Sequence, residues 1–167
     1  MRSLPSPRGL VAAALFTLVG GALPAPGQDS QEVERPPDLV VLVDKPSTLG
    51  TYTLGVFLRR PDPQTPGMWS VKIWEEVDER VSVATDRVSC DPAAPMRITR
   101  QRGQLEMRLL NPGGVITPAN RTDHLIWWAV CAPALAARDP ASLAVEARRL
   151  GYSGVLVERR DLLPAGR

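Results

Sequence analysis

The chain has 167 residues, 44% hydrophobic and 23% charged, with 20 basic residues against 18 acidic ones, a single histidine and a net charge of +2. That length suits one domain able to enclose a core of its own. Arg2 and Arg8 are the only charges before residue 28, so the rest of the chain carries eighteen of each sign, and a neutral domain has no electrostatic case for holding nucleic acid or another polyanion.

The chain opens with MRSLPSPRGLVAAALFTLVGGALPAPGQ. Arg2 and Arg8 form a short positive head, Leu10 to Leu23 an apolar centre, and Ala25 and Gly27 supply small residues at −3 and −1 of a cleavage site. Residues 1–27 therefore read as a secretory signal peptide. The apolar run falls short of the ~20 residues a spanning helix needs. Gly20, Gly21, Pro24 and Pro26 interrupt it, so no integral membrane segment is expected after cleavage. Residues 28–37, QDSQEVERPP, are polar and charged and read as a tether, leaving 38–167 as a single globular, β-rich domain.

Within that domain, DLVVLVD (38–44) is a compact valine-rich strand, KPSTLG a turn, and GTYTLGVFLRR a second strand with Gly55 placed for a bulge. PDPQTPG (61–67) is a loop. From Trp69 the two-residue period is clean: Trp69, Val71 and Ile73 share a face opposite Ser70 and Lys72, and Trp74 breaks the pattern. The acidic run Glu75, Glu76, Asp78, Glu79 marks a charged turn. It lacks the alternating oxygen ligands and glycine of a calcium loop. Val81 and Val83, then Val88 and Cys90, continue the period with a slip near Asp86, which predicts a turn or bulge there. MRITRQRGQLEMRLL is a hairpin turning at Gln101 to Gly103, with Met96 and Ile98 on one face and Leu105, Met107 and Leu109 together. Arg97, Arg100, Arg102 and Arg108 crowd this region, and Asp91 and Glu106 nearby make solvated hairpin faces the expectation.

HLIWWAVC (124–131) is expected as a strand, which would send Trp127 and Trp128 to opposite faces. Asp139-Pro140 opens a helix, ASLAVEARRL completes it, and Gly151 stops it in the left-handed conformation. GVLVERR (154–160) is then a strand. The predicted fold is α+β and sheet-dominated: mostly antiparallel strands and hairpins, with a single C-terminal helix in a strand–helix–strand unit. An all-β sandwich is the alternative.

Cys90 and Cys131 are the only cysteines, and in an exported chain one disulfide is the simplest use of them. Two free buried thiols or a redox pair are the alternatives, the latter disfavoured by the lack of C-x-x-C spacing. One histidine and two bonded cysteines cannot make a zinc site, and no phosphate-binding or dinucleotide glycine pattern occurs, so no metal or cofactor is expected. Asp123-His124 invites a hydrolytic triad, but G-x-S-x-G is absent and Gly151-Tyr-Ser153-Gly154 misses it by one residue. Trp69 and Trp74 flank a proline-rich loop and are the candidate exposed aromatics for a sugar. Asn120-Arg-Thr122 matches the glycosylation acceptor. The expected function is an exported, non-catalytic binding or assembly factor in the periplasm or an oxidising lumen, its partner a protein or envelope component. A small envelope hydrolase using His124, or a carbohydrate-binding module, is the alternative.

Overall fold

The computed structural model describes residues 34–163, so the signal-peptide reading lies outside the described residues. Seven strands form one sheet: β1 (Val40–Ser47), β2 (Gly50–Pro61), β3 (Met68–Val77), β4 (Arg80–Ser89), β5 (Met96–Gln101), β6 (Gln104–Leu109) and β7 (Arg159–Leu163). They lie side by side in chain order, each antiparallel to the next. Two helices accompany them, α1 (Arg121–Cys131) and the one-and-a-half-turn α2 (Ala144–Arg149). The architecture is α+β and sheet-dominated, and the sandwich alternative falls away.

The turns follow their chemistry. β5 and β6 are joined through Arg102 and Gly103, both at positive φ (50° and 83°), the backbone a two-residue hairpin turn needs for its twist to match the strands. The charged β3–β4 turn likewise places Asp78 at φ 57°. Gly55 keeps unbroken register with β3 and lies opposite a bulge carried by β1 at Val41–Val43: a Cβ there would come within 2.7 Å of the Leu39 side chain and 3.0 Å of the Val40 carbonyl, so the glycine allows a close approach. A second register shift falls between Phe57 and Arg60, where β2 pairs with β3.

The predicted slip at Asp86 is also absent, because β4 pairs with β3 without interruption from Arg80 to Ser89. What changes is the face carrying the apolar residues. Val81 and Val83 lie on the outer face, opposite Glu76 and Trp74, while Val88 turns to the other side with Asp86. An apolar pattern that switches sides mimics a slipped register, since both displace the period by one residue.

The largest departure is residues 124–131. HLIWWAVC is helical, the body of α1, so the strand–helix–strand unit does not exist, and β7 runs antiparallel to β6. The strand expected over 154–160 begins only at Arg159. Every residue from Asp123 to Val130 is buried. A helix enclosed on all sides shows no polar stripe, and a short continuous apolar run then reads equally as a covered strand. α1 lies across β1, β2, β4 and β5, and its residues join Leu54, Val56, Val71, Ile73 and Val88 in one core with Leu110, Leu143, Ala147 and Tyr152. Trp127 packs edge-to-face on Trp128 and on Tyr152 (centroids 5.1 and 4.8 Å apart), and its indole N–H donates to the Ser89 carbonyl at 2.9 Å. Both tryptophans are sealed from solvent, as the facing argument expected, although the element is a helix.

Asp139 and Pro140 initiate a 3-10 turn (Pro140–Ser142) rather than α2 itself; the Asp139 carboxylate accepts from the Ala141 N–H. Gly151 follows α2 at φ +91°, as the stop signal requires. Cys90 at the end of β4 and Cys131 at the end of α1 lie at disulfide distance, with Cα atoms 5.4 Å apart. Of the expected tether, Arg35 is fastened: its guanidinium donates to Glu76 and to Thr53 on the outer face.

Candidate functional site

α1 carries Asp123 and His124 in its first turn, and each meets a different cluster. The register puts Asp86, Arg97, Thr99, Glu106 and Arg108 on the sheet face that α1 covers, while Met96, Ile98, Met107 and Leu109 occupy the outer one. Arg97, 9% exposed, donates through Nε to Asp86 at 2.7 Å and through Nη1 to Asp123 at 2.5 Å. Arg108 donates through Nη1 to the other Asp123 oxygen at 2.7 Å and through Nε to Glu106. Nε of Arg160 lies 3.0 Å from the same Glu106 carboxylate, an ion pair. Three guanidiniums and three carboxylates thus alternate between sheet and helix, and Asp123 ties α1 to β5 and β6. The expectation of solvated arginines holds for Arg100 and Arg102, which are exposed, and fails for Arg97 and Arg108. Alternation in a strand sends the two sets to opposite faces.

His124 is wholly enclosed. Its Nε2–H donates to Glu158 at 2.7 Å, the direction set by a carboxylate having only acceptors, and its Nδ1 has no partner among the described residues. Glu158 is also held by the Asn111 backbone N–H (3.1 Å) and the Asn120 side-chain amide (2.8 Å). Asn111 stitches the incoming 154–156 stretch in place, donating to the Gly154 carbonyl and accepting from the Leu156 N–H. Asn120 precedes α1 and shapes its entry turn, accepting from Thr117 N–H and donating to the Val115 carbonyl. Its amide is therefore engaged inside the structure rather than presented for a glycan.

Above these groups opens a cleft of about 560 Å³ between the start of α1, the end of β6 and residues 156–160. Arg108 and Arg160 line it with Asp123 and Glu158, Leu110, Val115 and Leu156 give it an apolar wall, and Leu109 and Arg159 border it with their side chains on the outer sheet face.

The structure does not bring the candidate aromatics to this cleft. Trp74 is 4% exposed, stacked edge-on with Phe57, its N–H donated to Glu76 at 3.0 Å; it is not a free surface. Trp69 is half-buried and roofed by the Arg59 guanidinium, 3.4 Å from the ring centroid. Asn111, Glu158 and Arg160 escaped sequence reasoning, and Asn120 and Arg108 were singled out for other roles, because the group converges from distant parts of the chain with no common motif. Among the described residues no group of His, Cys, Asp and Glu is arranged to hold a metal, and no helix is long and apolar enough to cross a membrane. No family model, curated protein or solved structure matches the chain.

Proposed function

We propose that this chain is an exported binding domain, non-catalytic, that holds part of a protein or other envelope component in the cleft at the start of α1. The observation carrying this reading is the enclosure of His124 beneath the cleft. Its exposure is 0%, and the nitrogen that donates is committed to Glu158. A general base must come within hydrogen-bond reach of the proton it removes, and an imidazole walled off in this way works as a strut under the floor. The cleft above it combines apolar wall with a few polar groups, the usual make-up of a ligand site. The cysteine pair at disulfide distance fits an oxidising compartment.

Photo-crosslinking of the native, full-length protein tests the reading. A photoreactive residue replacing Val115, which is exposed at the cleft wall, is expected to capture a discrete partner in the envelope fraction. The same residue replacing Val83 on the outer face of β4 is expected not to. Equal labelling from both positions would refute a cleft-borne partner. His124→Gln, which retains a donor for Glu158, is expected to leave capture intact. A hydrolytic activity abolished by that change in a folded protein would favour the hydrolase instead.

A further inference from the structure

We propose that a second copy of this chain pairs along the outer edge of β7, joining two sheets across a two-fold axis. Leu110 N–H donates to the Pro95 carbonyl, which turns the even-numbered residues along β6 towards β5 and the odd-numbered ones towards β7. Arg159, Asp161 and Leu163 stand opposite Leu109, Met107 and Leu105, and so spend their backbone groups on β6. The N–H and C=O of Arg160 and Leu162, with those of Glu158 just ahead of the strand, then point away from the sheet. Among the described residues β7 has no neighbour on that side. The opposite edge of the sheet is defended. β1 carries a bulge at Val41–Val43 and then Lys45 and Pro46, features that blunt an edge, whereas β7 has no register shift, lysine or proline. α1 rests on β1, β2, β4 and β5, so its bulk lies clear of β7.

The side chains select the occupant. On its outer face this edge reads Val157, Arg159, Asp161, Leu163: apolar, positive, negative, apolar. Reversed, the row reads apolar, negative, positive, apolar. An antiparallel second copy centred on Arg160 therefore sets Val157 against Leu163 twice and Arg159 against Asp161 twice. These fall at the non-hydrogen-bonded positions, where opposed side chains approach most closely. Arg159 already donates to Asp161 of its own strand at 3.0 Å, so the second copy extends a pair into a group of four alternating charges. Val157, 81% exposed, gains an apolar cover beside Leu105 and Leu163. On the other face Arg160 meets its own copy, but each Arg160 is held by its Glu106. Centring on Arg159 instead would set two arginines at a close position and Val157 against Asp161. The axis stands normal to the sheet, so both α1 layers and the clefts beside them lie on one side of the joined sheet.

Sedimentation equilibrium of the native protein reads the association. Its mass is expected to rise towards twice the monomer's as concentration increases. Leu162→Pro removes an outward N–H at an exposed position without breaking a bond to β6, and is expected to abolish that rise. Arg159→Asp and Asp161→Arg change exposed side chains, and each sets like charges against one another across the axis. Each variant alone is expected to stay monomeric, with far-ultraviolet circular dichroism unchanged. Mixed in equal amounts, they offer an acidic edge to a basic one and are expected to form a heterodimer. A native mass that stays monomeric up to about 0.1 mM would overturn the inference, whether or not an extended segment of another protein takes the edge. A dimer that persists in Leu162→Pro, or a mixture of the two charge variants no heavier than its parts, would overturn it equally.

Discussion

Arg97→Met removes the central guanidinium of the buried ion array and leaves a side chain of similar length. Asp86 is wholly enclosed, its Oδ2 takes both guanidinium contacts, and its Oδ1 has no partner among the described residues. Without Arg97 that carboxylate is buried and uncompensated, and Asp123 keeps only Arg108. Removing one partner of a buried pair typically costs about 3–5 kcal/mol, chiefly the penalty for the stranded charge. Against a whole-domain stability of about 5–15 kcal/mol this is a large fraction. With an m-value of about 2 kcal/mol per molar urea, the midpoint is expected to fall by about 2 M. Urea unfolding followed by tryptophan fluorescence measures it, since Trp127 and Trp128 sit in the same helix as Asp123. Adding Asp86→Leu to Arg97→Met removes the stranded charge and is expected to restore most of the loss. A midpoint shift under about 0.3 M for the single change, or no recovery in the double, would refute the argument that burial of the charge sets the cost.

Replacing Cys90 and Cys131 by alanine opens a loop of 41 residues and is expected to cost about 4 kcal/mol on the chain-entropy model, read as a lowered urea midpoint. Peptide mapping without reductant is expected to return Cys90 and Cys131 in one linked fragment. The chain's two tyrosines, Tyr52 and Tyr152, both have phenols pushed up to about 12, by burial first and then by the nearby carboxylates of Glu75 and Asp91. The sign follows from an acid whose folded pKa is raised. The folded state favours the neutral phenol, and the resulting stability is full below the unfolded value near 10 and is lost as pH climbs towards 12. The native protein is therefore expected to show little tyrosinate absorbance at about pH 11, and the urea-unfolded chain to be mostly ionised there; native titration near 10 would contradict the burial of both rings.

Strand alternation in Trp69 to Ile73, the Arg102-Gly103 hairpin and the pairing of the two cysteines were all legible in the residues, because each rests on local chemistry. The helix over 121–131 was not. Its start is signalled by Asn120 and by Asp123 in the first turn, but the apolar run that follows has lost its period through complete enclosure. The ion array was hidden for a related reason. Apolar residues at Met96, Ile98, Met107 and Leu109 point to the face expected inside, yet here the charged face is the covered one. A charge turns inward only when partners arrive from elsewhere, and Asp123 comes from an element 26 residues beyond Arg97. Trp74 broke the pattern for a simple reason: it belongs to the opposite face, where Glu76 accepts its N–H and Phe57 packs edge-on against it.

α1 is tethered at both ends, by Asp123 to two arginines of the sheet and by Cys131 beside Cys90. A rod moored at bow and stern cannot fray one turn at a time. Amide hydrogen exchange along 124–130 should then proceed only when the whole layer lifts, at a single rate shared with β4 and β5. For a ligand in the cleft, the bank formed by α1 is a fixed quay.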